Sequence, residues 1–232
     1  MTWVKICGMT NLEDALTAVD AGADAVGFVF YEKSPRNISV EAAREIVKKL
    51  PEGVEKVGVF AGASIENAAM AGLRAGLDAL QVYLFSYLNS AAGVSLPSKA
   101  MGSAGLKVYP ALPVAVFLGA GSKNVAGFVR DRPVGVFDTL ILDSGSSRLQ
   151  PGGTGKAFSW QEAASAVESL SRYQRIVIAG GLTPENVNRA MDILNPGGVD
   201  VSSGVEARPG KKDPAKVRAF VKAAKAADWK AS

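Results

Sequence analysis

The chain opens on a strand–helix–strand sequence: WVKIC at Trp3–Cys7, LEDALTAVDA at Leu12–Ala21 and AVGFVF at Ala25–Phe30. The two outer stretches are short and rich in Val, Ile and Phe, as β-strands are. In the middle stretch the apolar residues recur with helical spacing. Two strands joined by a helix pair in parallel through a right-handed crossover. This opening therefore predicts a parallel α/β fold.

The same alternation continues along the rest of the chain. Further strands are predicted at Lys56–Phe60, Ala79–Leu84, Leu106–Pro110, Thr139–Asp143, Arg175–Ala179 and Val199–Ser202. Further helices are predicted at Val40–Leu50, Ile65–Ala75, Ser122–Arg130, Trp160–Leu170, Pro184–Leu194 and Pro214–Ala227. Eight such units in 232 residues indicate a (β/α)8 TIM barrel with parallel strands. Since no linker or low-complexity tract interrupts them, residues 1–232 are predicted to form a single domain.

Residues suited to begin helices precede five of the helical stretches. Asn11, Ser39, Ser64, Ser159 and Thr183 stand at N-cap positions. There a side-chain oxygen can accept a hydrogen bond from a backbone N–H of the first turn.

Composition predicts a cytoplasmic protein with a substantial core. Hydrophobic residues make up 48% of the chain and charged residues 21%. No apolar run reaches the length of about 18 residues that a membrane span requires, and patterned sequence begins too early for a signal peptide. One cysteine allows no internal disulfide, which fits a reducing compartment. The surplus of basic residues after Val205 is interpreted as the solvated face of the last helix, so no nucleic-acid partner is expected.

The chain contains no histidine. That excludes Ser-His-Asp and Cys-His nucleophilic sites and, with a single cysteine, makes a zinc site of ordinary type unexpected. Acid–base chemistry must then come from Cys, Asp, Glu, Lys or Tyr.

Two adjacent barrel loops carry small residues suited to phosphate. Gly180 and Gly181 follow the seventh strand, and Ser202, Ser203 and Gly204 follow the eighth. Loops after these two strands commonly bind phosphate in TIM barrels, with backbone N–H groups near a helix start as donors. The alternative is that the glycines only permit tight turns.

Cys7 and Asp143 are the candidate acid–base pair. Strand alternation places Lys5 and Cys7 inside the barrel if Val4 and Ile6 face the helices, and it places Asp143 inside as well. A lone cysteine is often only a small buried hydrophobe, and a carboxylate at a strand end can simply cap a helix. Lys5 is expected to form a structural ion pair with Asp200 on the neighbouring strand rather than a Schiff base.

The sequence resembles the phosphoribosylanthranilate isomerase family. The resemblance is carried by these stretches: Val4–Thr10, Gly22–Phe30, Lys33–Arg36, Val57–Phe60, Leu142–Ser144, Gly152–Lys156 with Phe158 and Trp160, Ala179–Leu182, Val199–Glu206 and Pro209–Asp213. The resemblance spans the two ends of the chain, about two thirds of it. The most specific are the Lys-Ile-Cys-Gly opening and the Val-Ser-Ser-Gly-Val-Glu close.

The resemblance implies an Amadori rearrangement of N-(5-phosphoribosyl)anthranilate to 1-(2-carboxyphenylamino)-1-deoxyribulose 5-phosphate, in tryptophan biosynthesis. It implies Asp143 as the acid, Cys7 as the base with a lowered pKa, and Arg36 as the group that binds the anthranilate carboxylate. The expected partner is a small phosphorylated substrate, with no cofactor, and the protein could be a monomer or a homodimer. The alternatives are another phosphosugar aldose–ketose isomerase barrel, of a kind that uses two aspartates, and a non-catalytic decayed barrel.

Strand four departs from the family. Where relatives have Gln-Leu-His-Gly, this chain reads Gln81-Val82-Tyr83-Leu84, and the stretch from Phe85 to Gly105 also differs. Tyr83 is expected to point inward with Gln81 and to shape the pocket or fix a water, with no role in proton transfer.

Overall fold

Eight parallel strands close into a barrel in the computed structural model, which describes residues 2–83, 105–118, 137, 139–145 and 158–226. The strands are β1 (Trp3–Cys7), β2 (Ala25–Val29), β3 (Glu55–Phe60), β4 (Ala79–Tyr83), β5 (Lys107–Pro113), β6 (Thr139–Asp143), β7 (Arg175–Ala179) and β8 (Gly198–Val201). Each strand pairs in parallel with the next, and β8 pairs with β1 to close the ring. The predicted (β/α)8 TIM barrel is therefore confirmed.

Helices cover the outside of the barrel. They are α1 (Leu12–Asp20), α2 (Val40–Val47), α3 (Ile65–Ala75), α4 (Ala115–Leu118), α5 (Trp160–Ser171), α6 (Val187–Leu194) and α7 (Pro214–Ala226). A 3-10 turn, Ser203–Val205, and a small hairpin of β9 (Glu206–Arg208) and β10 (Lys211–Lys212) lie between β8 and α7. None of the helices within the described residues is both long and apolar enough to cross a membrane.

The helix starts agree with the predicted N-caps in four of five cases. Each of these four side chains accepts a hydrogen bond from the backbone N–H three residues later: Asn11, Ser39, Ser64 and Ser159. The prediction for Thr183 is wrong, because the helix begins only at Val187. Asn186, the residue before it, uses its side chain to bind the carbonyl of Gly181 and the N–H of Thr183. These two hydrogen bonds of the Asn186 side chain hold the loop after β7 in place, and the side chain does not cap the helix.

Side chains of alternate strand residues divide between two apolar layers. Val4 and Ile6 belong to the large layer between sheet and helices, as the alternation predicts. The barrel interior is filled by a second cluster: Trp3, Ala25, Val57, Ala79, Tyr109, Ala111, Ile141, Val177 and Ala179. Lys5 lies among these interior residues, fully buried. Because the interior is filled, the strands can present a site only at their carboxyl ends.

Some predicted boundaries and elements differ from the structure. β5 continues to Pro113 although Pro110 was taken as its end, and it keeps parallel register with β6 at Pro113. The hairpin of β9 and β10 was not predicted from the sequence, because two- and three-residue strands rich in charge show no apolar period. The helix predicted at Ser122–Arg130 lies outside the described residues.

Candidate active site

A cavity of about 480 Å³ opens at the carboxyl ends of the strands. It is lined by all eight residues that the sequence singled out as candidates: Cys7, Arg36, Asp143, Gly180, Gly181, Ser202, Ser203 and Gly204. They come from positions as far apart as the first and the eighth strand. The barrel closure brings them to one mouth.

Cys7 ends β1 and is buried beside the fully buried Lys5. Gly27 on β2 makes room for both, since a Cβ there would lie 2.7 Å from the Cys7 sulfur and 3.0 Å from Lys5 Cε. Burial raises the pKa of the Cys7 thiol above its ordinary value of 9.0, and the nearby Lys5 ammonium offsets this only in part. The expectation of a lowered pKa is therefore wrong. The residue type was visible in the sequence, but the depth of burial was not.

Asp143 ends β6 and is also buried. Its Oδ1 accepts a hydrogen bond from the backbone N–H of Gly145 at 3.0 Å. Burial raises its pKa above the ordinary value of 3.8, although hydrogen bonds from Tyr83 and Gly145 act in the opposite direction. Gly180 on the adjacent loop has no Cβ, and one placed there would lie 2.8 Å from Asp143 Oδ1. The raised pKa suits a carboxyl group that donates a proton.

Tyr83 ends β4, and its hydroxyl donates a hydrogen bond to Asp143 Oδ2 at 2.7 Å. Tyr83 and Gln81 both line the cavity, as the alternation predicts. The intervening strand β5 presents Ala111 to the barrel interior. A small side chain at that position lets the phenol reach from β4 to β6. Tyr83 therefore lines the pocket as expected, and its hydroxyl also contacts the candidate acid directly, which was not predicted from the sequence.

The loops after β7 and β8 pack closely against each other and carry backbone N–H groups that have no acceptor among the described residues. Gly180 and Gly181 have φ values of 88° and 68°, the left-handed region that glycine adopts without strain. A Cβ on Gly204 would clash with the carbonyl oxygen of Leu182, so glycine is needed for the two loops to meet. Within the described residues, the backbone N–H groups of Gly181, Ser203 and Gly204 find no acceptor. Donors that converge in this way suit an anion.

Arg36 lines another part of the cavity and is held by Glu206 of β9. Its Nε and Nη2 donate to the two Glu206 carboxylate oxygens at 2.8 and 2.7 Å. The aliphatic part of Arg36 lies over Gly8, where a Cβ would come within 2.6 Å of Arg36 Cδ. The Cys-Gly pair in the first motif therefore places a thiol and a guanidinium side by side.

The floor of the cavity is an ion pair between Lys5 and Asp200 of β8. Lys5 Nζ donates to Asp200 Oδ2 at 2.7 Å and to Gln81 Oε1 at 2.9 Å. Burial acts to lower the pKa of Lys5, but Asp200 and Cys7 outweigh it and the pKa is raised. An ammonium stabilised in this way is a poor nucleophile. The structural ion pair is confirmed.

Two charged residues of the hairpin were not identified as site residues from the sequence. Lys212 Nζ donates to Glu206 Oε1 at 3.1 Å and to the Ser202 carbonyl at 3.2 Å. The basic residues after Val205 were interpreted as solvated, and that is wrong for Lys212, which is 1% exposed. The sequence placed Lys212 between Gly210 and Asp213, in one of the stretches that carry the family resemblance. It gave no indication that Lys212 contacts Glu206.

The described part of the chain contains no group of three or more Cys, Asp and Glu side chains placed to hold a metal ion. What the mouth does present is a thiol, a buried carboxyl group, a guanidinium and backbone N–H groups without an acceptor among the described residues, all in one cavity. TIM-barrel enzymes carry their active sites at this end of the strands. Fold and site together define a (β/α)8 barrel of the enzyme type with an acid–base site.

A sequence model of the N-(5'-phosphoribosyl)anthranilate (PRA) isomerase family matches residues 4–84 and 113–223. The chain belongs to this family. The unmatched interval, residues 85–112, contains the whole stretch from 85 to 105 that departs from the family pattern. The motif Gly152–Lys156 falls within the match but outside the described residues.

Named relatives are similar over nearly their whole length. The N-(5'-phosphoribosyl)anthranilate isomerase of Geotalea uraniireducens (strain Rf4) is 41% identical over 225 residues, covering 97% of this chain and 99% of the relative. The crystal structure of phosphoribosyl anthranilate isomerase from Thermotoga maritima is 38% identical, with a TM-score of 0.78 and coverage of 97% of this chain and 100% of that one.

A third relative was crystallised with a ligand. It is a phosphoribosyl anthranilate isomerase in complex with reduced 1-(o-carboxyphenylamino)-1-deoxyribulose 5-phosphate. It is 36% identical, with a TM-score of 0.74 and coverage of 97% of this chain and 100% of that one. This ligand carries both a phosphate and an aromatic carboxylate.

Proposed function

We propose that the chain converts N-(5-phosphoribosyl)anthranilate to 1-(2-carboxyphenylamino)-1-deoxyribulose 5-phosphate, the isomerisation step that its relatives are named for in tryptophan biosynthesis. The observation that carries the proposal is the single cavity shared by Cys7, Asp143, Arg36 and the two glycine-containing loops. These supply a base, an acid, a carboxylate-binding group and a phosphate cradle, which are the four functions that this substrate requires.

Asp143 and Cys7 carry the proton transfers. The Asp143 carboxyl group gives its proton to the ring oxygen of the ribose, the C1′–O bond breaks, and the anilino nitrogen forms an iminium with C1′. The Cys7 thiolate then takes the proton from C2′, and the electron pair of that bond neutralises the iminium to give an enolamine. The enolamine gains a proton at C1′ and loses one from its C2′ hydroxyl, which yields the ketone.

The active protonation state is a minor one. Burial raises the pKa of the Asp143 carboxyl from its ordinary value of 3.8 and that of the Cys7 thiol from its ordinary value of 9.0. At neutral pH the thiol is therefore protonated, whereas the reaction requires a thiolate with an Asp143 acid. That form has the same total number of protons as the form with Asp143 ionised and Cys7 neutral. After each turnover, transfer of a proton from Cys7 to Asp143 restores the form with the thiolate and the protonated carboxyl group.

The two ends of the substrate are held by different elements. The loops at Gly180–Gly181 and Ser202–Gly204 bind the phosphate through backbone N–H groups, and the Ser202 hydroxyl is available as well, since it has no partner among the described residues. Arg36 binds the anthranilate carboxylate, a pairing that its planar fork favours.

A turnover assay tests the proposal. Purified protein is incubated with enzymatically generated phosphoribosylanthranilate, and the loss of the substrate's fluorescence is followed beside Cys7→Ala. Faster loss with the wild-type protein is expected. Loss at the rate of the variant would favour a non-catalytic barrel, and turnover of another phosphorylated aldose alone would favour a related isomerase.

Replacing Arg36 with Met is expected to weaken binding of the carboxylated ligand and leave phosphate binding nearly unchanged. Hydrogen bonds to charged groups contribute about 1.5–3 kcal/mol, so the Kd for reduced 1-(o-carboxyphenylamino)-1-deoxyribulose 5-phosphate should rise roughly 10- to 150-fold. Calorimetric titration of this ligand and of inorganic phosphate measures both. An equal loss for the two would reject the role of Arg36.

Replacing Tyr83 with Phe is expected to keep turnover within about tenfold of wild type, since a single hydrogen bond contributes on the order of 1 kcal/mol. The hydroxyl stabilises the ionised form of Asp143, so its removal should raise the pKa of Asp143 further. The low-pH limb of kcat/KM, which follows Asp143 ionisation, should move to higher pH. A pH profile measures the shift. A fall in turnover as large as that of Cys7→Ala would show that the phenol itself transfers a proton.

Three further expectations stay predictions from the sequence. They are the cytoplasmic location, the monomeric or homodimeric state, and the lack of nucleic-acid binding.

A further inference from the structure

Arg36 does not enter the cavity as an isolated cation. Both oxygens of Glu206 pair with its Nε and Nη2, and the side chains of Arg36 and Glu206 are 12% and 5% exposed. A guanidinium bound this tightly to a carboxylate has most of its charge neutralised before a ligand arrives. On its own, this pair would be a poor site for a second carboxylate.

Lys212 changes the charge of this group. Its Nζ lies 3.1 Å from Glu206 Oε1, and its side chain is fully buried. Burial lowers the pKa of Lys212, although Glu206 acts in the opposite direction. With Lys212 protonated, two cations and one carboxylate have a net charge of +1, and Arg36 is the member of these three that lines the cavity. Lys212 is not among the lining residues, so it has no route to direct contact with a ligand there.

The hydrogen-bond geometry leaves one edge of Arg36 for a ligand. Glu206 occupies the side edge formed by Nε and Nη2. Nη1 has no hydrogen-bond partner among the described residues, and with the second hydrogen of Nη2 it forms the end edge of the fork. The aliphatic part of Arg36 packs against Gly8, where a Cβ would collide with Arg36 Cδ. A planar carboxylate can pair with that edge through two hydrogen bonds.

The hairpin that carries Glu206 and Lys212 is fixed to the barrel on its other side. Thr10 Oγ1 donates to the Gly210 carbonyl at 2.6 Å, and the Lys212 backbone N–H donates to Asp14 Oδ2 at 2.8 Å. The hairpin backbone at Lys212 therefore cannot move away from the barrel without breaking contacts to the loop after β1 and to α1.

We propose that Lys212 is a positioning residue that keeps the charge of Arg36 available for the carboxylate of the substrate, by neutralising Glu206. The proposal rests on the proposed function, since it concerns the same carboxylate. It explains why a lysine is buried here at all. A buried ion pair contributes little to stability compared with apolar residues of the same volume, so a role in recognition accounts for the charge better than a role in folding.

A matched pair of ligands isolates the effect. One is reduced 1-(o-carboxyphenylamino)-1-deoxyribulose 5-phosphate, and the other is its phenylamino counterpart without the carboxylate. Both carry the same phosphate. The Kd of the phenylamino ligand divided by the Kd of the carboxylated ligand therefore reports the contribution of the carboxylate alone. This matters because Lys212 also contacts the Ser202 carbonyl beside the phosphate loop.

Lys212→Met is expected to lower this ratio roughly 10- to 100-fold, because Glu206 then cancels Arg36. KM for phosphoribosylanthranilate should rise by a similar factor, with kcat changed much less. Adding Glu206→Gln to Lys212→Met restores a net charge of one and should recover most of the ratio. A purely structural lysine would give a double variant no better than the single one.

Lys211→Met is the control, because it removes a lysine from the same hairpin that pairs instead with Glu13 and Asp14. Its ratio should stay within about twofold of wild type, since Lys211 pairs with Glu13 and Asp14 and not with Glu206 or Arg36. An unchanged ratio in Lys212→Met, or no recovery in the double variant, would overturn the proposal.

If Lys212→Met alone does not fold, Glu206→Gln is compared with the double variant. Once Glu206 is neutral, losing Lys212 should change the ratio by less than about threefold; a loss of tenfold or more there would also overturn the proposal. Wild-type turnover is measured in the same preparations. Its absence counts against the proposed function, whereas normal turnover with unaffected variants counts against the role of Lys212 alone.

Discussion

Replacing Cys7 with Ala or Asp143 with Asn is expected to lower kcat/KM by about 10²–10⁴-fold, the range that general acid–base groups contribute. Asn keeps the shape of Asp143 and an oxygen that can still accept the hydrogen bond from Tyr83. Circular dichroism and thermal melts check that the barrel survives in both variants. Rates close to wild type in either purified variant would remove that residue from the mechanism.

The pH dependence of the Asp143→Asn variant separates the two roles. In the wild type, kcat/KM should rise with pH through the pKa of Asp143 and fall through the raised pKa of Cys7. Between these two pKa values the predominant form has Asp143 ionised and Cys7 neutral, and the active form carries the same number of protons. Without Asp143 only the thiolate remains to be formed, so the residual rate should rise with pH through the Cys7 pKa. A residual rate that falls there would mean that Cys7 is the acid.

Gly181→Asp is expected to abolish measurable phosphate binding, with Gly181→Asn as its matched control. Both side chains have nearly the same size, and both must adopt the left-handed conformation of Gly181, at φ 68°, which Asn and Asp tolerate better than other residues. They differ in one negative charge. Two unit charges about 4 Å apart repel by about 4 kcal/mol at an effective dielectric constant of 20.

The comparison is made by titrating inorganic phosphate into both variants. The Asp variant should bind at least about 100-fold more weakly than the Asn variant, after allowance for the partial exposure of the loop, which reduces that repulsion. The difference should shrink as salt is added. Equal affinities at low salt would place the phosphate elsewhere in the cavity.

The sequence predicted well those features that follow from strand alternation. The inward direction of Lys5, Cys7 and Asp143 could be read from the apolar residues between them, because in a barrel one face of each strand must meet the helices. The Lys5–Asp200 pair followed from the expected closure of β1 against β8. These predictions needed only local period and one rule of topology.

The contacts that sequence analysis missed are the ones made by charged residues at long range. Nothing in the local pattern links Arg36 with Glu206, which are 170 positions apart, or distinguishes the buried Lys212 from the exposed lysines after it. The pKa of Cys7 was predicted in the wrong direction for a similar reason. The direction depends on burial, which the packing of β2 and β8 decides.

Closure of β1 against β8 also determines when the site can form during synthesis. Lys5 and Asp200 are 195 positions apart, so β1 cannot pair with β8 until nearly the whole chain has been synthesised. Contacts at such sequence separation form late and slowly. Until then the edge of β1 that pairs with β8 stays open, and unpaired strand edges make a chain prone to aggregation. Cys7 ends this same strand and is buried in the folded barrel, so we expect its thiol to be accessible in the growing chain until β8 is in place.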